Sequence, residues 1–384
     1  MSVYDSIDSQ RGMLFDKPKN QAYLDAIRQA VTHNSVVLDL GAGLGFFGLA
    51  AAKAGARKVY LVDPSPVIEL ARKIAIVNNL SNVECIRGTI EEVELPEQVD
   101  IIISVFTGNF LLTEDLLPSL FYARDQFLKP GGMLIPEAAR MVSAPVSNQD
   151  FYDKHLKVWS KECSVKALLP DEHCEIDFSA GLTYAANSLY YVAPKEFTGE
   201  YLAEPQQFHE LDFYTTTTAD CDARIEAQVS HSAICHGWAG WFEMKLGENW
   251  LSTSPKAAAM HWSSVYLPAD PPVAVASGDA VSLHLIRAEF GEWHWNLDFP
   301  DGTTQRHSSF LSMPLRPQDI ARASEGFAPV IQGKLEPLRW LVETMDGKKT
   351  IRALAEALSK QFPARFSNLN QAINFIKSVL ARFD

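Results

Sequence analysis

Cysteine is scarce in this 384-residue chain. Its five cysteines, at positions 85, 163, 174, 221 and 235, are scattered and form no Cys-x-x-Cys pair. That spacing excludes a disulfide framework and a zinc ribbon, and it points to a reducing, cytoplasmic setting. The N-terminus lacks the basic flank and apolar core of a signal peptide, and no apolar run is long enough to span a membrane. Positive charge is short as well: 34 Lys and Arg face 47 Asp and Glu, a net charge of −13. This excludes nonspecific nucleic-acid binding and suits a basic partner such as an arginine- or lysine-bearing peptide. No internal repeat, low-complexity tract or metal-ligand spacing occurs. A hydrophobic fraction of 47% fits a globular protein, and the length exceeds one typical core.

The most informative stretch begins at Val36. The run Val36 to Leu40 reads as a buried parallel strand, and Gly41, Gly43 and Gly45 make a tight turn after it. The helix behind starts near Gly48. Strand, glycine turn and helix place a nucleotide-like ligand at the strand ends of a doubly wound sheet. The dinucleotide fingerprint requires glycine at position 46, which is Phe46, and Asp39 stands two places before the first glycine. Asp-x-Gly-x-Gly-x-Gly is the S-adenosylmethionine form of the turn. A second strand, Lys58 to Val62, ends in Asp63, about 20 residues past the turn, where a carboxylate meets ribose hydroxyls. The same carboxylate also suits the cap of a helix from Pro66 to Asn78.

Along the chain, residues 4–20 read as too polar for a core, and a helix is predicted from about Gln21 to Thr32. Strands are predicted near Val83–Ile86 and Val99–Val105, a helix from about Asp115 to Phe127, a turn at Lys129–Gly132, and a strand opening at Met133. Residues 1–140 therefore form an alternating β/α cofactor domain. From 141 to 305, short alternating segments such as Ile234–Leu246 and Ala280–Leu285 indicate an antiparallel β-barrel, with an arm-like insertion near 165–190. Residues 306–384 read as a small helical module, in which Thr350 caps a helix bearing Ile351, Leu354, Ala355 and Leu358. The predicted fold class is α/β plus β: a Rossmann-like doubly wound sheet, an antiparallel β-barrel and a winged-helix-like C-terminal module.

These segments together resemble the protein arginine methyltransferases. The resemblance rests on Asp39–Gly45 with Ala51–Val59, on Glu91–Pro96 with Val99–Ser104, on His236–Phe242, on Leu251–Pro255, and on His261-Trp262. It implies S-adenosyl-L-methionine as cofactor. Carried over by position, Asp63 holds the ribose, Ile90 and Glu91 face the adenine, and Met13 lies near the sulfonium. Lys19 stands where the family has an arginine for the methionyl carboxylate, a point charge in place of a fork. Asp39, Gly41, Gly43, Gly45 and Ser104 complete the cofactor set. Asp5 is expected to pair with His261 across the domain boundary, either as a structural partner or beside a catalytic base. A homodimer is also implied.

The family grips its acceptor between two glutamates on one loop. Here the second is Glu114, which also suits a cap of the following helix, and the first is Val105. One carboxylate does not make the paired clamp that orients a guanidinium and compensates its charge. The expected activity is methyl transfer to a side chain of a peptide or protein, with Val105 pointing away from arginine and Glu114 or His261 as base. Two other readings stand beside it: a small-molecule N- or O-methyltransferase, and a silent, partner-binding subunit. The stretch Asp346–Leu358 resembles the first helix of winged-helix peptide-binding domains, which implies capture of a peptide substrate.

Overall fold

A computed structural model describes residues 6–160, 177–322, 324, 326–330 and 333–380. The chain divides into two compact units, Met1–Pro314 and Leu315–Asp384.

The first unit opens with two helices. Helix α1 (Ile7–Leu14) occupies a stretch whose polarity predicted no element; Ser6 caps it by accepting from Ser9 N. Helix α2 (Lys17–Ala30) begins four residues before the predicted start, because Asp16 caps it and Pro18 suits its first turn. Tyr23 and Ile27 bury its inner face, as the helical spacing required.

The parallel sheet contains β1 (Val36–Leu40), β2 (Lys58–Asp63), β3 (Val83–Arg87), β4 (Val99–Ser104) and β5 (Leu128–Ile135), in the order β3-β2-β1-β4-β5. Every residue of β1 is buried, as a central parallel strand covered on both faces demands. Helices α3 (Phe46–Lys53), α4 (Ile68–Val77) and α5 (Leu117–Phe127) are the crossovers. Neither predicted cap is used: α4 and α5 have Val67 and Leu116 at their N-caps, without a side-chain bond. The predicted turn at Lys129–Gly132 is absorbed into β5, where Gly131 takes a φ of +76°. Strand order reverses between β1 and β4, and the crevice at such a reversal is where doubly wound sheets bind ligands.

From residue 138 the chain becomes antiparallel. Strands β6 (Ala138–Ser147), β7 (Tyr190–Val192), β8 (Glu200–Tyr201), β9 (Gln206–Asp212), β11 (Ala233–Leu246), β12 (Asn249–Ser252) and β13 (Ser264–Val275) form one sheet. Strands β10 (Cys221–Gln228), β14 (Ala280–Arg287), β15 (His294–Asp298) and β16 (Thr304–Ser308) form the other. They share a core containing Trp238, Phe242 and Trp295, and Trp295 Nε1 donates to the Pro268 carbonyl across the sheets at 3.3 Å. Helix α6 (Gln149–His155) precedes the expected arm near 165–190, whose residues 165–176 lie outside the described residues.

The second unit has its own core of Leu341, Leu354, Leu358, Phe366 and Ile376. Thr350 caps the helix Ile351–Gln361 by accepting from Ala353 N, and helix Leu369–Leu380 packs against it. Among its described residues every regular element is helical.

Candidate active site

Beyond the end of β1 the backbone turns sharply, and Gly41, Gly43 and Gly45 take φ values of +67°, +53° and +77°. That left-handed region is open mainly to glycine. A Cβ at Gly41 would lie 2.1 Å from the Phe106 ring, and one at Gly43 would lie 2.8 Å from Gln10 Oε1. The turn is pinned by the two acidic residues singled out in the sequence. Asp63 accepts from Gly43 N at 2.7 Å and from Ser65 N at 2.8 Å, while Asp39 accepts from Gly48 N at 2.7 Å.

Beside the turn, Lys19 is 4% exposed and donates Nζ to the Met13 carbonyl at 2.7 Å. Burial lowers its ammonium to about 8, against the pull of Asp16 and Asp39. Burial raises the Asp39 carboxyl to about 7, opposed by the Gly48 amide and Lys19 and reinforced by Asp63. Both groups therefore change charge near neutrality.

The other side is built from the loop after β4 and from the segment leading into β13. His261 Nδ1 lies 2.7 Å from Asp16 Oδ2, which also accepts from His261 N at 2.9 Å. Burial alone would raise Asp16, yet the hydrogen bonds from His261 and from Lys19 N hold it below the ordinary carboxylate value. Burial lowers His261 below the ordinary imidazole value, against the pull of Asp16. An ionised Asp16 makes Nδ1 the protonated nitrogen and leaves the Nε2 lone pair for a proton. Trp262 donates Nε1 to the Thr107 carbonyl at 2.8 Å and so ties the loop to the barrel.

One cavity of about 710 Å³ joins the two sides and is lined by Met13, Lys19, Asp39, Gly41, Gly43, Asp63, Glu114 and His261. Four expected residues stay outside that lining. Gly45 caps α3 against Leu61. Ile90 is buried in the core, and Glu91 accepts from Ser119 Oγ at 2.6 Å. Ser104 is buried, with its carbonyl accepting from Tyr23 Oη, and strand alternation turns Val105 into the cavity instead. Asp5 lies outside the described residues, and the carboxylate on His261 is that of Asp16. Its sequence signal was the Asp-Lys-Pro of a helix start, which marks a cap but not a second, long-range bond. Gln10 and Phe106, which cover the turn, carried no signal.

The cavity offers a carboxylate for hydroxyls (Asp63), an ammonium for a carboxylate (Lys19), a buried carboxylate for a cation (Asp39), and apolar walls at Leu44, Phe47 and Leu116. This donor set fits S-adenosylmethionine, which carries ribose hydroxyls, a carboxylate, an ammonium and a sulfonium. Fold and site together define an S-adenosylmethionine-dependent methyltransferase.

Residues 37–132 match the methyltransferase domain family, and residues 137–299 match the arginine methyltransferase oligomerization subdomain. Protein arginine N-methyltransferase 6 of Danio rerio is 32% identical over 330 residues, covering 81% of this chain and 91% of its own. A probable histone-arginine methyltransferase CARM1 of Oryza sativa is 34% identical over 302 residues, covering 74% of this chain and 55% of its own. Among solved structures, protein arginine methyltransferase 10 of Arabidopsis thaliana superposes with a TM-score of 0.65 at 26% identity, covering 80% of this chain and 99% of its own. The Trypanosoma brucei PRMT1 enzyme-prozyme complex with AdoHcy gives a TM-score of 0.70 at 24% identity, covering 80% of this chain and 99% of that one, and shares the fold. The chain belongs to the protein arginine methyltransferase family. The expectation drawn from Val105, an acceptor other than arginine, is not borne out by these relatives.

Proposed function

We propose that the chain methylates a protein side chain and that the acceptor is the guanidinium of arginine. The observation that carries this is one cavity lined by Met13, Lys19, Asp39, Gly41, Gly43 and Asp63 of the cofactor set and by Glu114 and His261. The relatives' names supply the acceptor. When bound, S-adenosylmethionine supplies an electrophilic methyl group on its sulfonium.

The chain's own residues act around that methyl. Asp63 accepts hydroxyl hydrogen bonds, Lys19 meets the carboxylate, and Asp39 balances positive charge. Met13 and Phe106 exclude water. Glu114 presents two oxygens to one guanidinium edge, which a single carboxylate can fill in bidentate fashion. Val105 leaves the charge compensation half of what a glutamate pair would supply. Because the methyl is already activated, the work left is in-line alignment and removal of one acceptor proton. Glu114 or the free Nε2 of His261 receives that proton.

The proposed layout assigns the parallel-sheet domain to the cofactor, the two antiparallel sheets to the acceptor groove and Leu315–Asp384 to a separate module, whose start moves from the expected 306 because β16 (Thr304–Ser308) pairs with β15. The match to an oligomerization subdomain supports a homodimer. The buried thiols of Cys85, Cys221 and Cys235 suit a reducing cytoplasm. Mass spectrometry of a peptide bearing one arginine, or one lysine in its place, tests the acceptor. Wild type should methylate the arginine peptide, and Glu114→Gln should not. Arginine methylation that appears only in Val105→Glu would overturn the reading.

A further inference from the structure

The loop that carries Glu114 is held in a conformation its own residues do not favour. Between β4 and α5, three residues other than glycine take left-handed φ angles: Phe110 at +51°, Leu111 at +63° and Asp115 at +52°. Such positions persist only where the surroundings over-determine them. For Phe110 the surroundings are apolar: it is fully buried, 5.0 Å from the Trp293 ring, and so close to β11 that a Cβ on Gly240 would lie 2.5 Å from its ring.

For Asp115 the surroundings are charged. Both of its carboxylate oxygens accept from Arg287 Nη2 at 2.8 Å, and Oδ1 also accepts from Phe290 N at 3.0 Å. Arg287 closes β14 and is 3% exposed. Its guanidinium lies over the Trp293 ring at 5.4 Å, and its Nε and Nη1 have no hydrogen-bond partner among the described residues. A buried guanidinium with one carboxylate on it is bound to that carboxylate strongly, because separating them would leave each charge uncompensated. The pair carries no local signal, since 172 residues separate its members.

We propose that Arg287 is a positioning residue for methyl transfer: by clamping Asp115 it fixes the backbone next to Glu114 and aims that carboxylate into the cavity. Arg287 does not line the cavity, so it acts through Asp115 and not on the acceptor. The Phe110–Trp293 contact and the Arg287–Trp293 stack meet on one ring, so one barrel side chain braces two of the strained positions. The barrel thereby sets the acceptor grip of a site whose cofactor half belongs to the other domain. The inference rests on the reading of Glu114 as the acceptor carboxylate.

The test compares wild type, Arg287→Met, Arg287→Lys, Glu114→Gln and the Arg287→Met/Glu114→Gln double variant. Initial rates on an arginine-bearing peptide are read beside calorimetric binding of S-adenosylmethionine. Arg287→Met should lower kcat/KM for the peptide at least tenfold while cofactor Kd stays within twofold. Arg287→Lys, which keeps the charge but not the planar guanidinium, should recover part of the loss, and it stands in if the methionine variant does not fold. The double variant should be as inactive as Glu114→Gln while still binding S-adenosylmethionine within twofold of wild type. Wild-type kcat/KM in Arg287→Met beside an inactive Glu114→Gln overturns the positioning role alone. Cofactor affinity falling in step with turnover also overturns it, as a plain structural effect. Full activity in Glu114→Gln removes the acceptor reading and this inference with it.

Discussion

With Lys19 as the expected partner of the methionyl carboxylate, cofactor binding depends on pH in a calculable way. Its ammonium titrates at about 8 because it is buried. Only the protonated form attracts the methionyl carboxylate, so affinity is lost as pH rises through that value. If the complex holds Lys19 protonated, apparent Kd grows as one plus ten to the power of pH minus about 8. Between about pH 7.5 and about pH 9.5 this amounts to roughly 25-fold, near 2 kcal/mol. Arginine stays charged across that range and adds a second donor. Lys19→Arg should therefore flatten the alkaline limb, and dividing one profile by the other cancels titration of the ligand's own groups. Calorimetric titration of S-adenosylmethionine at several pH values measures both. A wild-type Kd that changes less than about threefold, or a Lys19→Arg profile that falls in parallel, would refute the assignment of Lys19 to the carboxylate.

Asp63→Ala removes a carboxylate that accepts two backbone amides in the turn, bonds worth about 1.5–3 kcal/mol each when charge-assisted. Cofactor affinity should weaken by at least about tenfold, and unchanged binding by calorimetry would exclude Asp63 from the ribose site. His261→Gln should lower turnover by about 10²–10⁴-fold if Nε2 takes the acceptor proton. Its pH profile should also lose the acid limb, which in wild type lies below the ordinary imidazole value because burial favours the neutral ring. A wild-type rate and limb in that variant would leave His261 a purely structural partner of Asp16. Leu358→Ala opens the core of the C-terminal unit at a fully buried position and should cost that unit about 2–5 kcal/mol. Hydrogen exchange should show lost protection in Ile351–Gln361 with Val36–Leu40 unchanged; equal loss in both would contradict separate folding of the two units.

Local chemistry made much of this protein legible from its sequence. Strand β1 shows as an unbroken apolar run because both its faces are covered. The glycine turn shows because its left-handed φ angles and the side chains packed on it favour a residue without a Cβ, and Thr350 shows because caps need an oxygen at one fixed position. Asp39 and Asp63 follow from their spacing to that turn, and Lys19 from the resemblance to the family. Tertiary structure alone decided which carboxylate reaches His261, since Asp16 reads locally as a helix cap and finds its second partner 245 positions away. It also decided that Ile90, Glu91 and Ser104 turn from the cavity while Gln10 and Phe106 cover the turn. The grip of Arg287 on Asp115 belongs with these. Periodicity and spacing record what neighbouring residues require of the backbone; a contact between distant residues depends on how whole elements pack, and it leaves no pattern in one sequence.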